Sequence, residues 1–559
     1  MLAKKPMPPG RWLAALLAAV SIASAVPVDI ANSVYGFLRR LELEGRITPG
    51  RLGTLPLPKS EVTALLREAG AREDAMPEWE RKRLEDFREE FGLRESRDGR
   101  YHPLAYSDSS FRVAIHAESY NEGYIQDSLP RAMTHGFGSV SGTIEGSYKE
   151  KLQFLSNAGL GQERALHERF TENYDPARGL PYNTDRTGKA GIPRSASSFD
   201  AFRTVVGYEE PGFRLEFGSD WNQWGPGVWQ HAFLSQRPWF WTQDSLPPSD
   251  SARFLGTANP GRYRRGYRYP GESAPMTQLR MAFRLGKFAY TKVAAQRTSL
   301  WNDTQAYVVA HRLEYRPWPF LGLGLQEMVA TAGRPLDWTY IIPLVPLKFS
   351  EHELGDRDNS AVGMDAEVLL AGRGRIYGEL LLDDFSGWDL DFWGAKYAYS
   401  LGAEAVGFPF SASRLQMEYA HVEPWVFTHG VPGDQMQHFG ALLGSSLPAN
   451  SHALRAAWEH ALRFDLDVSL QYAFMQRDAT SRGSSPFDVH VTLSDGTQKD
   501  FLGGTVETRN GIRLGCDWRW RRFVEFRGSA GYLAVSDWKS EAGESLSSPT
   551  FSGELILRY

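Results

Sequence analysis

The sequence predicts an all-β fold: a transmembrane antiparallel β-barrel of about 18 strands with a small N-terminal α-helical bundle. Three observations predict it. Most of the chain alternates apolar and polar residues with a period of two. The last residue, Tyr559, is an aromatic that completes one such alternating segment. The first residues read as a secretory signal, and nothing downstream is long and apolar enough to cross a membrane as a helix.

The N-terminus fixes the compartment. Lys4, Lys5 and Arg11 form a basic start, Trp12 to Val20 is apolar, and Ala23-Ser24-Ala25 offers a small-residue cleavage site. A signal peptide over residues 1–25 follows, with cleavage after Ala25. The next stretch, residues 26–100, is expected to be the periplasmic helical bundle. Val34, Phe37, Leu38 and Leu41 recur at helical spacing before Gly45. Val62, Leu65, Leu66 and Ala69 repeat the pattern, with Ser60 as expected cap, and Leu84, Phe87 and Phe91 mark a third helix. Helices this short are marginal alone, so the bundle is expected to lean on the barrel mouth.

Residues 101–559 are expected to form the barrel. Phe111, Val113, Ile115 and Ala117 alternate with Arg112, Ala114, His116 and Glu118. The same pattern recurs at Phe213–Phe217, Leu279–Leu285, Val468–Phe474 and Val524–Phe526, in segments of about ten residues, as a lipid-facing and lumen-facing wall requires. The mean hydropathy of -0.40 suits a chain in which only alternate strand residues meet lipid. Seventeen Trp and 23 Tyr are enough for aromatic girdles. Tight turns are expected at Glu209 to Gly212 and at Gly286-Lys287. Long loops are expected at Asn121 to Arg131, Gly159 to Ser198, Trp221 to Ala274 and Gly333 to Arg357. The alternation gives nineteen candidate strands, and because bacterial barrels have even numbers one candidate between Asp389 and Phe474 is expected to be spurious. The lumen-facing charges Arg112, Arg214, Arg280, Arg284, Glu216, Glu314, Glu379, Glu525 and Glu554 mix both signs, which favours pairing across a plugged lumen.

Several segments resemble the capsule-assembly Wzi family of outer-membrane proteins. They are VYGFLRRLELEGRI with LPLPKSEVTALL, WNQWGPGVWQHAFLSQRP, AHRLEYRPWPFLGLGLQE, DNSAVGMDAEV, IYGELLLDDF and VEPWVFTH, and they occur in order along the mature chain. The resemblance implies an eighteen-stranded barrel with a periplasmic helical bundle. It also implies a lectin-like, non-catalytic role in binding or organising capsular or exo-polysaccharide. The stretch from Trp239 to Pro270, long and rich in Arg and Tyr, departs from it.

The candidate site lies in the Trp221–Tyr269 loop, which follows an outward-running strand. Trp221, Trp224, Trp229, Trp239 and Trp241 could stack on pyranose C–H faces, or could form an interfacial girdle or a folded loop core. Arg264, Arg265 and Tyr267 could meet acidic sugars or lipid phosphates, or belong to a solvated basic loop. Asp383 and Asp384 read as loop caps or lumen ion pairs rather than an acid–base couple. Alternation sends His311 away from Arg312 and Glu314. No nucleophile elbow, phosphate loop or zinc spacing occurs, so no enzyme, cofactor or metal is expected. The net charge of -5 argues against a nucleic-acid partner. Expected partners are surface polysaccharide, outer-membrane lipid and, through Tyr559 as insertion signal, the barrel-assembly machinery. A porin or transporter for small solutes or glycans is the alternative function.

Overall fold

The computed structural model describes residues 26–93, 104–126, 133–149, 151–165, 183–185, 195–235, 275–298, 305–370, 373–385, 389–431, 433–438, 441–445, 447–485, 488, 490, 496–521 and 523–559. The signal-peptide residues lie outside them. Strands of period-two sequence pair with their chain neighbours until the last meets the first. The first nine barrel strands are β1 (Phe111–Gln126), β2 (Met133–Tyr148), β3 (Leu152–Ala165), β4 (Ser195–Glu210), β5 (Phe213–Asp220), β6 (Met276–Leu285), β7 (Phe288–Arg297), β8 (Ala306–Trp318) and β9 (Leu321–Ala332). The second nine are β10 (Asn359–Leu370), β11 (Gly374–Phe385), β12 (Ala395–Val406), β13 (Ser413–Val422), β14 (Ser451–Arg463), β15 (Leu466–Asp478), β16 (Val506–Trp520), β17 (Val524–Ser536) and β18 (Ser545–Arg558). The ring is closed, antiparallel and eighteen-stranded. Between Asp389 and Phe474 the wall holds β12, β13, β14 and the start of β15, and the described residues between Val422 and Ser451 contribute only the two-residue strands Gln437–His438 and Ala441–Leu442.

Closure needs the C-terminus. Strand β18 pairs with β1 from Thr550↔Gln126 to Arg558↔Glu118. Tyr559 extends the ladder by a reciprocal pair with Ala117, N to O distances 2.8 and 2.9 Å. Its ring projects outward and is 83% exposed. Beyond it the short strand Leu104–Ser107 takes up the same edge of β1, from Ile115 to Arg112. No backbone edge is left open to lipid there, where each unpaired group costs several kcal/mol.

The outward face is apolar: Val140, Ile144, Leu160, Phe202, Phe217, Leu325, Leu401, Met417, Leu514 and Phe551 are all exposed. No helix among the described residues is long and apolar enough to cross a membrane. Short connections such as Pro211-Gly212, Gly286-Lys287 and Pro319-Phe320 lie at one end of the wall and the long loops at the other, which marks them as periplasmic and extracellular.

The head folds as the helical spacing predicts. Helix α1 (Val34–Leu43), α2 (Lys59–Gly70) and α3 (Glu78–Glu90) bury Val34, Leu38, Leu41, Val62, Leu66, Leu84 and Phe87 in one core. Phe37 stacks on Phe87 at 5.3 Å. Gly45, at φ +67°, turns the chain out of α1. Ser60 does not cap α2. Pro58, in extended backbone, opens that helix, and the Ser60 hydroxyl sits in the first turn, donating to Glu209 at 3.0 Å.

That bond is one of a ring of anchors at the short-turn mouth. Lys59 pairs with Glu145 (2.9 Å), Arg39 with Glu367 (3.1 Å), Arg83 with Asp467 (2.7 Å) and Glu90 with Arg519 (2.8 Å). Thr54 donates to Glu314, and Arg40 to the carbonyls of Ser411 and Ser413. These partners lie on β2, β4, β8, β10, β13, β15 and β16 and on the turn before β13, so the head is seated around the whole circumference. The expected lumen pairs form alongside: Arg280 to Glu216 at 3.0 Å, and Arg527 to both Glu525 and Glu554.

Glu80 makes head stability pH-dependent. It is fully buried on α3, its carboxyl 3.8 Å from Arg40. Burial, reinforced by neighbouring Glu44, pushes its pKa up to about 8. A carboxyl raised in the folded state stabilises that state fully below its unfolded pKa and loses the contribution as pH rises through the folded value. The urea midpoint for protease resistance of the head should therefore fall between about pH 5 and pH 9, and Glu80→Gln should remove most of that fall. An equal fall in the variant would assign the dependence to another group.

Candidate functional site

A wall of eighteen strands encloses more space than its own side chains can fill. The chain fills it with backbone. After β5, the segment from Trp221 to Ser235 turns into the lumen. Gln223 and Trp224 pair as a short strand with Thr54 and Leu55 of the head. Two buried carboxylates on the inner wall hold the rest. Glu379 of β11 accepts from Gly227 N at 2.8 Å and Ala232 N at 2.6 Å. Glu418 of β13 accepts from Gln230 N (2.6 Å), Val228 N (2.9 Å), Trp229 N (3.3 Å) and the Tyr377 hydroxyl (2.6 Å). Arg375 of β11 donates to Pro226 O at 2.8 Å while bridging Glu367 and Glu404.

The segment between β13 and β14 folds in beside it. Val426, Phe427, Met436, Leu443 and Leu447 join Trp224, Phe233 and Leu234 in one apolar core against Met276, Val308, Met328 and a run of wall alanines. Gly363 permits this packing, since a Cβ there would stand 1.9 Å from the Phe233 ring. Asp383 caps the segment by accepting from Phe427 N at 2.8 Å, the loop-capping role expected of it. The lumen therefore carries the head at its periplasmic end and an apolar core in its extracellular half.

Above that core the loops meet at the rim. Trp393 and His490 stack with ring centres 3.7 Å apart and planes 5° apart. Trp425 stands edge-on to both, at 6.3 and 5.3 Å. Trp425 N donates to Gly483 O, Trp393 N to Thr497 O, and Lys499 N to Asp391 O, so three loops are locked together. Trp425 and Phe427 are held at φ +70° and +66°, conformations that cost non-glycine residues about 1–3 kcal/mol each and persist only where the surroundings impose them. Asp389, Leu390, Asp391, Arg482, Thr497 and Gln498 are exposed around this ledge. Aromatic rings beside carboxylates, a guanidinium and amides are the groups with which proteins meet sugar rings and hydroxyls.

The loop expected to form the platform lies elsewhere. Trp224 is fully buried, Trp229 packs half-buried beneath the Arg455 guanidinium at 4.3 Å, and Trp221 packs on the head core near Arg203. For Trp224 the reading as an outward sugar surface is corrected: Glu379 and Glu418 draw the loop inward, and a fully buried ring offers no face to a ligand. Trp239, Trp241, Arg264, Arg265 and Tyr267 lie outside the described residues. The rim residues Trp393, His490 and Arg482 were not singled out from sequence. Trp425 stood within VEPWVFTH, but its isolated position in a loop gave no spacing to read. No group of His, Cys, Asp and Glu suited to a metal ion occurs among the described residues.

A closed strand ring with an apolar exterior, a filled lumen and a plug at the short-turn end defines a bacterial outer-membrane β-barrel. Its fold is similar to that of Wzi from Escherichia coli, an outer-membrane protein described as involved in group 1 capsule assembly and as a carbohydrate-binding β-barrel. The TM-score is 0.57 at 15% sequence identity, over 96% of this chain and 99% of that one. OprD from Pseudomonas aeruginosa aligns with a TM-score of 0.42 at 10% identity over 80% of this chain and 94% of its own. OccAB2 from Acinetobacter baumannii aligns at 0.41 and 11% over 80% and 98%. No protein-family model and no curated protein sequence matches the chain.

The carboxylate latch predicts its own measurement. Glu418→Ala orphans three buried or part-buried backbone donors and the buried Tyr377 hydroxyl, each worth up to roughly 1–3 kcal/mol when left unpaired. Barrel stability, read from denaturant unfolding in lipid vesicles, should fall by on the order of 4 kcal/mol. A loss below about 1 kcal/mol would show that the loop is held by its apolar contacts alone.

Proposed function

We propose that this protein binds surface polysaccharide at the outer face of the membrane, as a lectin-like barrel that neither conducts nor catalyses. The observation that carries this reading is the lumen, filled by the head below and by an apolar core above. A barrel filled in this way has its outer surface left for work, and the rim presents the half-buried Trp393–His490 stack, backed by the buried Trp425, with exposed acids and Arg482 around it. The likeness to Wzi, described as a carbohydrate-binding barrel, supports the same reading. Tyr559, at the periplasmic end of the closing strand, is read as the signal to the barrel-assembly machinery.

Sugar rings lay their C–H faces on aromatic rings, and a well-stacked contact adds roughly 1 kcal/mol by analogy with aromatic pairs. One such contact is weak. A long polymer touching many barrels at once is retained, because linked contacts multiply. Trp393→Ala combined with His490→Ala, in a barrel that still inserts, should lower cell-associated polysaccharide and raise the released fraction. An unchanged distribution, with the barrel correctly folded, would remove the rim from the binding surface.

A further inference from the structure

The outward face of β7, β8 and β9 carries ionisable side chains where the wall below them is apolar. Lys292, His311 and Glu327 lie side by side in register across the three strands. Lys292 pairs with Met281, and Tyr290 with Phe283, on the face opposite the lumen-facing Arg280. Two residues further along the same face, Leu313 and Leu325 are exposed as lipid-facing residues should be. A Lys, a His and a Glu here would stand in hydrocarbon, where charged and polar groups are expensive.

They are covered. The segment between β9 and β10 folds down over them, including a 3₁₀ turn (Trp338–Ile341) and helix α4 (Leu347–Glu353). Tyr340 and Leu347 pack on the outward-facing Val309 and Val329. The polar wall residues receive the segment's backbone. Lys292 Nζ donates to Ile342 O at 2.6 Å. Leu344 N donates to the Tyr290 hydroxyl at 3.1 Å, and that hydroxyl lies 3.2 Å from His311 Nδ1. His311 Nε2 meets Glu327 at 2.8 Å, and the same carboxylate accepts from Leu347 N at 2.5 Å. The relay is self-consistent: the hydroxyl accepts from the loop and donates to Nδ1, leaving Nε2–H to donate to the carboxylate. Pro343 and Pro346 supply no N–H at all.

What the segment presents on its far side is apolar. Trp338 is 81% exposed, Leu344 and Phe349 69% each, and Ile342 50%. The exposed charges His352, Glu353, Asp356 and Arg357 gather where the segment rejoins the extracellular end of β10. Tyr290, whose hydroxyl accepts from Leu344 N, stands two residues beyond Phe288, the periplasmic start of β7, about 7 Å along the strand. The segment therefore spans much of the depth of the wall. Irregular backbone at that depth is tolerated only when its polar groups are met by protein, and here the wall supplies the partners.

We propose that residues 337–349 form a strap immersed in the membrane, whose apolar edge of Trp338, Ile342, Leu344 and Phe349 contacts lipid acyl chains. Its edge continues the apolar belt of the neighbouring wall, and its charged end stays in water at the rim. The barrel thus offers lipid a second layer of protein over β7–β9, in addition to the strand wall itself.

Site-directed spin labelling in vesicles of dioleoylphosphatidylcholine tests this. Cys516, the single cysteine, is replaced by Ser, and labels are attached through Leu344→Cys, Phe349→Cys and Glu353→Cys in separate proteins. All three positions are exposed, so the labels need not disturb packing. At Leu344 and Phe349, collisions with oxygen should exceed those with a water-soluble nickel chelate several-fold, and at Glu353 the order should reverse. Ready access of the nickel chelate to Leu344 would put the strap in water and overturn the proposal. Protection of Leu344 and Phe349 from both reagents would overturn it in favour of a protein cover, such as a second copy of the chain.

Discussion

A ring of eighteen strands leaves a lumen too wide for side chains to close, and backbone brought in to fill it must find a partner for every buried polar group. That constraint organises the molecule. Glu379 and Glu418 meet it for the inward loop by accepting five backbone N–H bonds between them. Arg375 meets it from the opposite sign, donating to Pro226 O between Glu367 and Glu404. Buried ion pairs contribute little net stability by themselves, but removing one partner leaves a charge uncompensated. These carboxylates and guanidiniums consequently fix where the loop lies, while the apolar core around Trp224 and Phe233 supplies the burial.

The same logic, turned inside out, explains the strap. On the lumen side, wall carboxylates capture a loop within the barrel. On the lipid side, Glu327, Tyr290 and Lys292 capture a loop against its exterior. Both devices use strand residues of the unexpected polarity to receive irregular backbone. The rim belongs to the same architecture: Trp425 and Phe427 keep left-handed backbone because Asp383 and the locked loops hold them there. Filling the interior leaves the outer surfaces, rim and strap, as the places where the protein can meet other molecules.

Much of this was legible in the sequence, for identifiable reasons. Alternation located the barrel strands, because each wall residue faces either lipid or lumen. Turn residues located the short connections, and the helical spacing of Val34, Phe37, Leu38 and Leu41 located the head. The separation of His311 from Arg312 and Glu314 also followed from alternation, and the structure places them on opposite faces. The direction in which a loop folds was not legible. Whether Trp224 points to water or to a core depends on Glu379 and Glu418, about 150–190 residues away in sequence. Nor does alternation reveal that Lys292 and Glu327 serve a loop outside the barrel, since a polar residue on a strand reads as lumen-facing. Ser60 shows the same limit on a smaller scale, since a capping residue type beside Pro58 was taken up by Glu209 instead.

The central claim is that the lumen is filled by the chain itself, and ion conductance through the intact protein tests it most directly. Reconstituted into planar bilayers at high salt, the barrel should give no steady current above that of the bilayer. A steady ohmic conductance of porin size, present in every insertion event, would contradict the account. It would mean that the head and the Trp221–Ser235 segment leave a continuous water path.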